Sequence, residues 1–122
     1  MDARLQDLQG KTDRVKPSEL LALLLEFHAE KAGLYGRHVA VARVAAHYDV
    51  NNVYQYVIAR EEQHLDWLRQ AILDAGGDVH AAAEPPQPER PRDEEALREL
   101  ARADAGAVRA AVEKWRPRLA RI

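Results

Sequence analysis

The sequence has no cysteine among its 122 residues, few aromatic residues and little net charge. Without thiolates the chain cannot form disulfides, iron–sulfur clusters or a rubredoxin-type iron site. A net charge of −2 argues against nucleic acid and anionic membranes as partners, because both attract strongly positive proteins. The longest apolar run, LLALLLEF at 20–27, is shorter than the roughly 20 residues that span a bilayer. The N-terminus does not resemble a secretory signal, and we therefore expect a cytoplasmic protein.

Proline and glycine, both sparse, divide the chain into three helical stretches. The predicted helices cover about residues 18–47, 52–75 and 93–116 of a helical domain at 17–122, after an N-terminal segment at 1–16. Pro17 and Ser18 begin the first helix, and Asn51 or Asn52 caps the second. No strand pattern is present, and the sequence predicts an all-α fold.

The ends of the second and third helices have recognisable signals. Gly76 and Gly77 offer the left-handed conformation in which helices commonly end, so the second helix stops there. Asp93 is the expected N-cap of the third helix, and acidic residues follow it where the helix dipole favours them. Pro117 interrupts that helix.

The segment at 77–92 contains four of the six prolines and connects helices two and three. About sixteen extended residues can reach ~50 Å, whereas a helix of about 24 residues is roughly 36 Å long. The third helix can therefore start at the same end as the second, as in four-helix bundles with one long crossover. The alternative is a flexible linker between independent pieces. The fourth helix of such a bundle is absent or supplied by another chain.

Each predicted helix places a carboxylate on its apolar face. On helical wheels Glu30 lies between Phe27 and Leu34, and Glu61 and His64 lie on the arc of the second helix. The apolar arc of helix one consists of Leu23, Phe27, Leu34, Val41 and Ala45. That of helix two consists of Tyr54, Val57, Leu68, Ile72 and Ala75. That of helix three consists of Leu97, Leu100, Val108, Ala111, Trp115 and Leu119. Asp104 lies at the centre of the third arc.

Three converging carboxylates repel one another unless a cation neutralises them. Glu61 and His64, at i and i+3, point from adjacent turns to one place and can flank a metal ion. The sequence therefore predicts a metal site formed by Glu30, Glu61, His64 and Asp104. The alternative is that the carboxylates are hydrogen-bonded to side chains such as Tyr48, Tyr54, Arg37 and His38. His38 faces inward but lacks ligand spacing, and we leave it out of the predicted site.

Glu30 on one helix and Glu61-x-x-His64 on the next resemble the ferritin-like, rubrerythrin-like carboxylate di-iron superfamily. The segment EEQHLDWL at 61–68 is similar to the second-helix motif of that superfamily. The resemblance implies a ferritin-like bundle in which Glu30 is the first-helix ligand and Asp104 the third-helix carboxylate. It covers residues 18–76 well and 93–116 loosely.

The resemblance also implies two iron ions, with manganese or zinc as alternative metals, and ferroxidase, peroxidase or oxygenase-type chemistry. Lack of cysteine means that electrons would come from an external donor. The second Glu-x-x-His of the family is missing, and Asp104 stands where Glu is usual. Either the chain is a truncated form, or two chains form a dimer that completes the bundle and shares the site, as in encapsulated ferritins.

Two further surfaces of the predicted helices have recognisable patterns. A second apolar stripe on helix one is covered either by another chain or by Leu5 and Leu8; its members are Leu21, Leu25, Ala32 and Val39. The arginines of helix three alternate with glutamates, which is typical of a solvent-exposed surface.

The alternative function is a non-catalytic helical interaction domain with a metal-free polar cluster.

Overall fold

A computed structural model describes residues 14–79 and 87–122, which form three α-helices. We name them α1 (Pro17–Val44), α2 (Tyr48–Asp74) and α3 (Glu94–Leu119). No β-strand occurs in these two ranges, so the all-α prediction is confirmed there. Leu5 and Leu8, as well as residues 80–86 of the predicted crossover, lie outside the described residues.

Two of the predicted helix ends are confirmed in detail. Asp93 caps α3, because its Oδ1 accepts a hydrogen bond of 2.8 Å from the N–H of Ala96. At the end of α2, Gly76 has φ +89°, a conformation that favours glycine. The N–H of Gly76 donates to the carbonyl of Leu73, and that of Gly77 donates to Ile72. This pair of bonds is the Schellman motif, which satisfies carbonyls that the helix itself leaves free.

Other predicted ends were wrong by a few residues. Helix α1 ends at Val44, and α2 already begins at Tyr48. The side chain of Ser18 does not cap α1, whose N-cap is Lys16, and Asn51 lies inside α2, where its Nδ2 donates to the carbonyl of Ala42 at 3.0 Å.

Pro117 also lies inside a helix, because α3 continues to Leu119. In the last turn a proline removes only one intrahelical hydrogen bond, and the helix tolerates this loss.

Helix α1 packs against both other helices and runs antiparallel to each of them. Side-chain contacts join Lys31 to Glu61 and Ala42 to Asn51, which fixes the direction of α2. The direction of α3 is fixed in the same way by the pairs Glu26 with Arg118, Phe27 with Trp115, and His38 with Asp104. Helices α2 and α3 therefore begin at the same end of the molecule, as the length of the crossover predicted.

The core lies along α1, and the space between α2 and α3 is open. The buried residues Val41, Ala42, Tyr54 and Ile58 form one cluster, and Ile72 and Trp115 are buried towards the other end. No Cα atom of α2 lies within 8 Å of one in α3. A groove therefore runs between these helices, with α1 as its floor. This arrangement of three helices is compatible with a helical bundle.

The second apolar stripe of α1 is partly covered by this same chain. Val39 packs against the core cluster, and Leu21 approaches Gly77 so closely that a Cβ atom there would lie 2.5 Å from Leu21 Cδ1. These two members of the stripe therefore need no other chain to cover them.

Candidate functional site

Glu61, His64 and Lys31 form the first of three polar clusters that contain the predicted ligands. The Nζ atom of Lys31 lies 2.8 Å from Glu61 Oε1 and 3.2 Å from His64 Nδ1. Because an ammonium group can only donate, Nδ1 of His64 accepts, and a neutral imidazole then carries its proton on Nε2. His64 also stacks on Trp67, with 5.7 Å between the ring centroids. The side chains of Lys31 and Glu61 are both largely buried.

Lys31 places a positive charge between the two residues of the predicted Glu-x-x-His motif. Glu61 Oε1 and His64 Nδ1 are 3.6 Å apart, and both contact the same ammonium group. A buried carboxylate needs a partner of opposite charge, and here the chain supplies one itself. The other oxygen, Glu61 Oε2, is buried and has no hydrogen-bond donor.

Glu30 belongs to a second cluster, which joins α1 to α3. Its Oε1 accepts a hydrogen bond of 3.2 Å from Trp115 Nε1 and lies 3.4 Å from Lys114 Nζ. One turn earlier, the guanidinium of Arg118 donates to both carboxylate oxygens of Glu26 at 2.8 and 2.6 Å and lies over the Trp115 ring. That hydrogen-bonded guanidinium lowers the pKa of Glu26. Glu30 therefore helps to hold the end of α3 on α1.

Asp104 is the centre of a third cluster, in which all three helices meet. Its Oδ2 accepts hydrogen bonds from His38 Nδ1 at 2.6 Å and from the Tyr54 hydroxyl at 3.0 Å. Arg37 Nε lies 3.1 Å from Oδ1, close enough for an ion pair, although its N–H is not directed at that oxygen. Asp104, His38 and Tyr54 are all buried. The hydrogen-bonded alternative for Asp104 is thus confirmed by these contacts.

Burial has a further effect on Tyr54. Its low-polarity surroundings and, secondly, the nearby Asp104 charge raise the pKa of Tyr54 far above its ordinary value. The hydroxyl therefore stays protonated and donates to Asp104 at all physiological pH values.

Of the four predicted ligands, the structure brings only Glu61 and His64 together. Glu30 and Glu61 line one apolar groove of about 350 Å³, but Glu30 is bonded to Trp115 on its other side. Asp104 lies in a separate cluster. Within 14–79 and 87–122, no three His, Asp or Glu side chains are grouped so that they could hold a metal ion. The Glu61–His64 pair fits a metal in part, and the full predicted set is not assembled within one chain.

One participant in these clusters, Lys31, was not predicted from the sequence. Nothing in the sequence marked Lys31 as a buried partner, because lysine side chains are rarely buried. Lys31 also directly follows the predicted ligand Glu30. His38 was named from the sequence as one of four possible hydrogen-bonding partners of the carboxylates, and in the structure it contacts Asp104. The signal for this contact was that His38 and Asp104 both lie on the apolar faces of their helices.

No protein-family model, curated protein or solved structure matches the chain. Among the described residues, no helix has the length and apolar character required to cross a membrane.

Proposed function

We propose that this chain is a non-catalytic helical interaction domain on a ferritin-like frame, and that it pairs with a second copy through the outer face of α2. The observation that carries this proposal is the exposure of large apolar side chains on α2. In the described part of the chain, five of the seven exposed large hydrophobic residues belong to α2. Val53, Tyr56 and Trp67 share one side of the helix, and Tyr48 and Leu73 lie on another. Tyr56 is 73% exposed and Trp67 62%. Tyr and Trp are enriched at protein interfaces, and exposed apolar patches mark such surfaces.

The spacing of these residues suits pairing between two identical helices. Val53, Tyr56, Arg60, Gln63 and Trp67 follow one another at intervals of three and four, which places them in one stripe. If two copies of α2 run antiparallel, each Tyr56 can lie opposite the partner's Trp67, and each Arg60 opposite the partner's Gln63. A two-fold axis produces every contact twice and places no like charges opposite each other. The stripe is therefore self-complementary.

The three polar clusters support the non-catalytic part of the proposal. Lys31 neutralises Glu61, Trp115 donates to Glu30, and Asp104 is held by His38 and Tyr54. Each carboxylate already has a partner from its own chain, so no bound cation is needed to bury it. We expect the clusters to fix how the helices pack.

Sedimentation velocity on the whole chain tests the pairing. We expect a dimer for the wild type and a monomer for Trp67→Glu and for Tyr56→Glu, because each substitution replaces an aromatic side chain of the stripe with a carboxylate. The matched control is Val112→Glu, which alters an exposed apolar residue of α3. It should remain a dimer. Circular dichroism would check that all variants keep their helices.

Two outcomes would contradict this interface. A wild type that stays monomeric at every accessible concentration would exclude self-association. Dissociation by Val112→Glu but not by Trp67→Glu would move the interface to the groove between α2 and α3, where Val112 lies.

A second candidate function is metal binding, and the unpartnered Glu61 Oε2 favours it. Glu61 and His64 would hold the ion, and a second chain would supply the ligands that Glu30 and Asp104 do not bring to this place. Iron bound there would supply ferroxidase, peroxide or oxygen chemistry, with manganese and zinc as alternatives. The ammonium of Lys31 would have to move away, because it lies between the two ligands. An external electron donor and a cytoplasmic location remain predictions.

Substitution of Lys31 distinguishes the two candidates. Lys31→Met removes the ammonium and leaves Glu61 and His64 without a cation, so the melting temperature should fall. If metal binding is the function, the wild type should contain iron after purification from iron-supplemented cells, and Glu61→Ala should abolish it. If the interaction domain is the function, the wild type should be metal-free and Fe²⁺, Mn²⁺ or Zn²⁺ should not restore the melting temperature of Lys31→Met.

A further inference from the structure

A second pocket, of about 470 Å³, lies between α2 and α3 and is lined by residues between 53 and 60 of α2 and between 101 and 109 of α3. Val53 and Val57 of α2 and Ala105 and Val108 of α3 form its apolar walls. The buried residues His38 and Asp104 line it as well. Pockets that bind small molecules have volumes of about 300–1,000 Å³ and consist mainly of apolar surface with a few polar groups. This pocket has both properties.

Two arginines give the pocket a distinctive charge. Arg60 of α2 and Arg109 of α3 both line it, and both are exposed to solvent. Within the described part of the chain, neither guanidinium makes an ion pair or a hydrogen bond. Asp104 is the one carboxylate of the lining, and it already contacts His38, Tyr54 and Arg37. The lining thus offers positive charge without a counter-charge of its own.

We propose that this pocket binds a small organic carboxylate with an apolar body. A guanidinium group recognises a carboxylate through two parallel N–H···O bonds, which a hydroxyl group or an ammonium group cannot reproduce. The apolar part of the ligand would be removed from water by the valine and alanine walls. Val53 and Arg60 line the pocket and also belong to the stripe proposed for pairing, whereas Arg109 lies outside that stripe, so Arg109→Gln tests the pocket without altering the proposed interface.

Isothermal titration calorimetry with octanoate tests the proposal, with octanol, octylamine and octyl phosphate as comparison ligands. We expect saturable binding of one octanoate per chain, and weaker binding of octanol and octylamine. Arg60→Gln and Arg109→Gln should each weaken octanoate binding about tenfold, since a hydrogen bond to a charged group is lost. Arg98→Gln is the matched control, an exposed arginine of α3 outside the pocket, and it should bind as the wild type does.

The walls can be tested separately with Ala105→Trp, which fills the pocket and should abolish binding of octanoate. If that variant fails to fold, the two arginine variants still decide the question, because both arginines are exposed and their substitution leaves the core intact.

Several results would overturn the proposal. Equal affinity for octanol and octanoate would show that the arginines do not select a carboxylate, and tighter binding of octyl phosphate would assign the pocket to phosphate esters. Unchanged octanoate affinity in both arginine variants would place the ligand elsewhere. Octanoate binding that appears only in a monomeric Trp67→Glu variant would mean that a second copy of the chain fills the pocket in the wild type.

Discussion

Neighbouring residues of α1 contact different helices. Glu30 contacts Trp115 of α3, whereas Lys31, the next residue, contacts Glu61 of α2. Successive residues of an α-helix are separated by about 100°, so adjacent side chains can face two partner helices. A helical wheel with a single apolar arc does not show which of two partner helices each side chain contacts. For this reason the sequence predicted one common site for Glu30, Glu61, His64 and Asp104, whereas the structure divides them among separate clusters.

Loss of the Asp104 carboxylate should destabilise the fold. We expect Asp104→Ala to lower the free energy of unfolding by about 3 kcal/mol, because Tyr54 and His38 would be left buried without their acceptor. Urea-induced unfolding measures the change. Glu99→Ala, an exposed carboxylate of the same helix, is the control and should change stability by no more than about 0.5 kcal/mol. Equal effects of the two substitutions would contradict the role given to the Asp104 cluster.

The partly buried His28 should make the free energy of unfolding decrease at acidic pH. Burial lowers the pKa of His28 below its ordinary value of 6.5, so below that pH the folded chain binds fewer protons than the unfolded chain. The free energy of unfolding should therefore fall as the pH drops through 6.5, and the fall should end below the folded-state pKa. In His28→Gln this part of the decline should be missing. A value at or above 6.5 in an NMR titration of the His28 ring would refute the prediction.

At the scale of the helices, the termini show which local signals are reliable. The cap at Asp93 and the glycine exit of α2 were predictable because each depends on local backbone chemistry alone. The turn between α1 and α2 was not predictable from local signals, because the Asn51 side chain donates a hydrogen bond to the carbonyl of Ala42 on the preceding helix. That bond depends on how two helices meet.

Two glycines should respond to alanine in opposite directions. Gly106 lies inside α3, and a methyl group added there would meet no atom within 4 Å, so Gly106→Ala should stabilise the fold by about 0.5–1 kcal/mol. Gly76 has φ +89°, and Gly76→Ala should cost about 1 kcal/mol because a Cβ atom disfavours that conformation. Thermal unfolding of the two variants beside the wild type measures both changes. Shifts of the same sign would contradict the account of these helix positions.

At the scale of the whole molecule, the length of the crossover allowed α2 and α3 to begin at the same end, with a flexible linker as the alternative. The openness of the groove between them was not predictable, because it depends on the distance between helices that share a neighbour rather than on any residue pattern. Tyr54 and Asp104 make the one side-chain hydrogen bond between α2 and α3 among the described residues.

This arrangement predicts that α3 opens more easily than the pair formed by α1 and α2. Helices α2 and α3 each pack against α1 and not against each other, but α3 approaches α1 closely along fewer residues than α2 does, so fewer interactions are lost when α3 separates. Hydrogen–deuterium exchange measured by mass spectrometry should show faster exchange in α3. Tyr54→Phe should accelerate exchange in α3 more than in α1 and α2, since it removes the bond to Asp104. Uniform exchange across the three helices would contradict this prediction.

The common starting end of α2 and α3 also has an electrical consequence. Each helix carries about half a positive charge at its N-terminus and half a negative charge at its C-terminus. With two helices in one direction and one in the other, the backbone of a single chain retains the dipole of one helix. In the antiparallel pair proposed above, the two copies point in opposite directions and these backbone dipoles cancel along the helix axis. Pairing would thus cancel the backbone dipole that each separate chain carries.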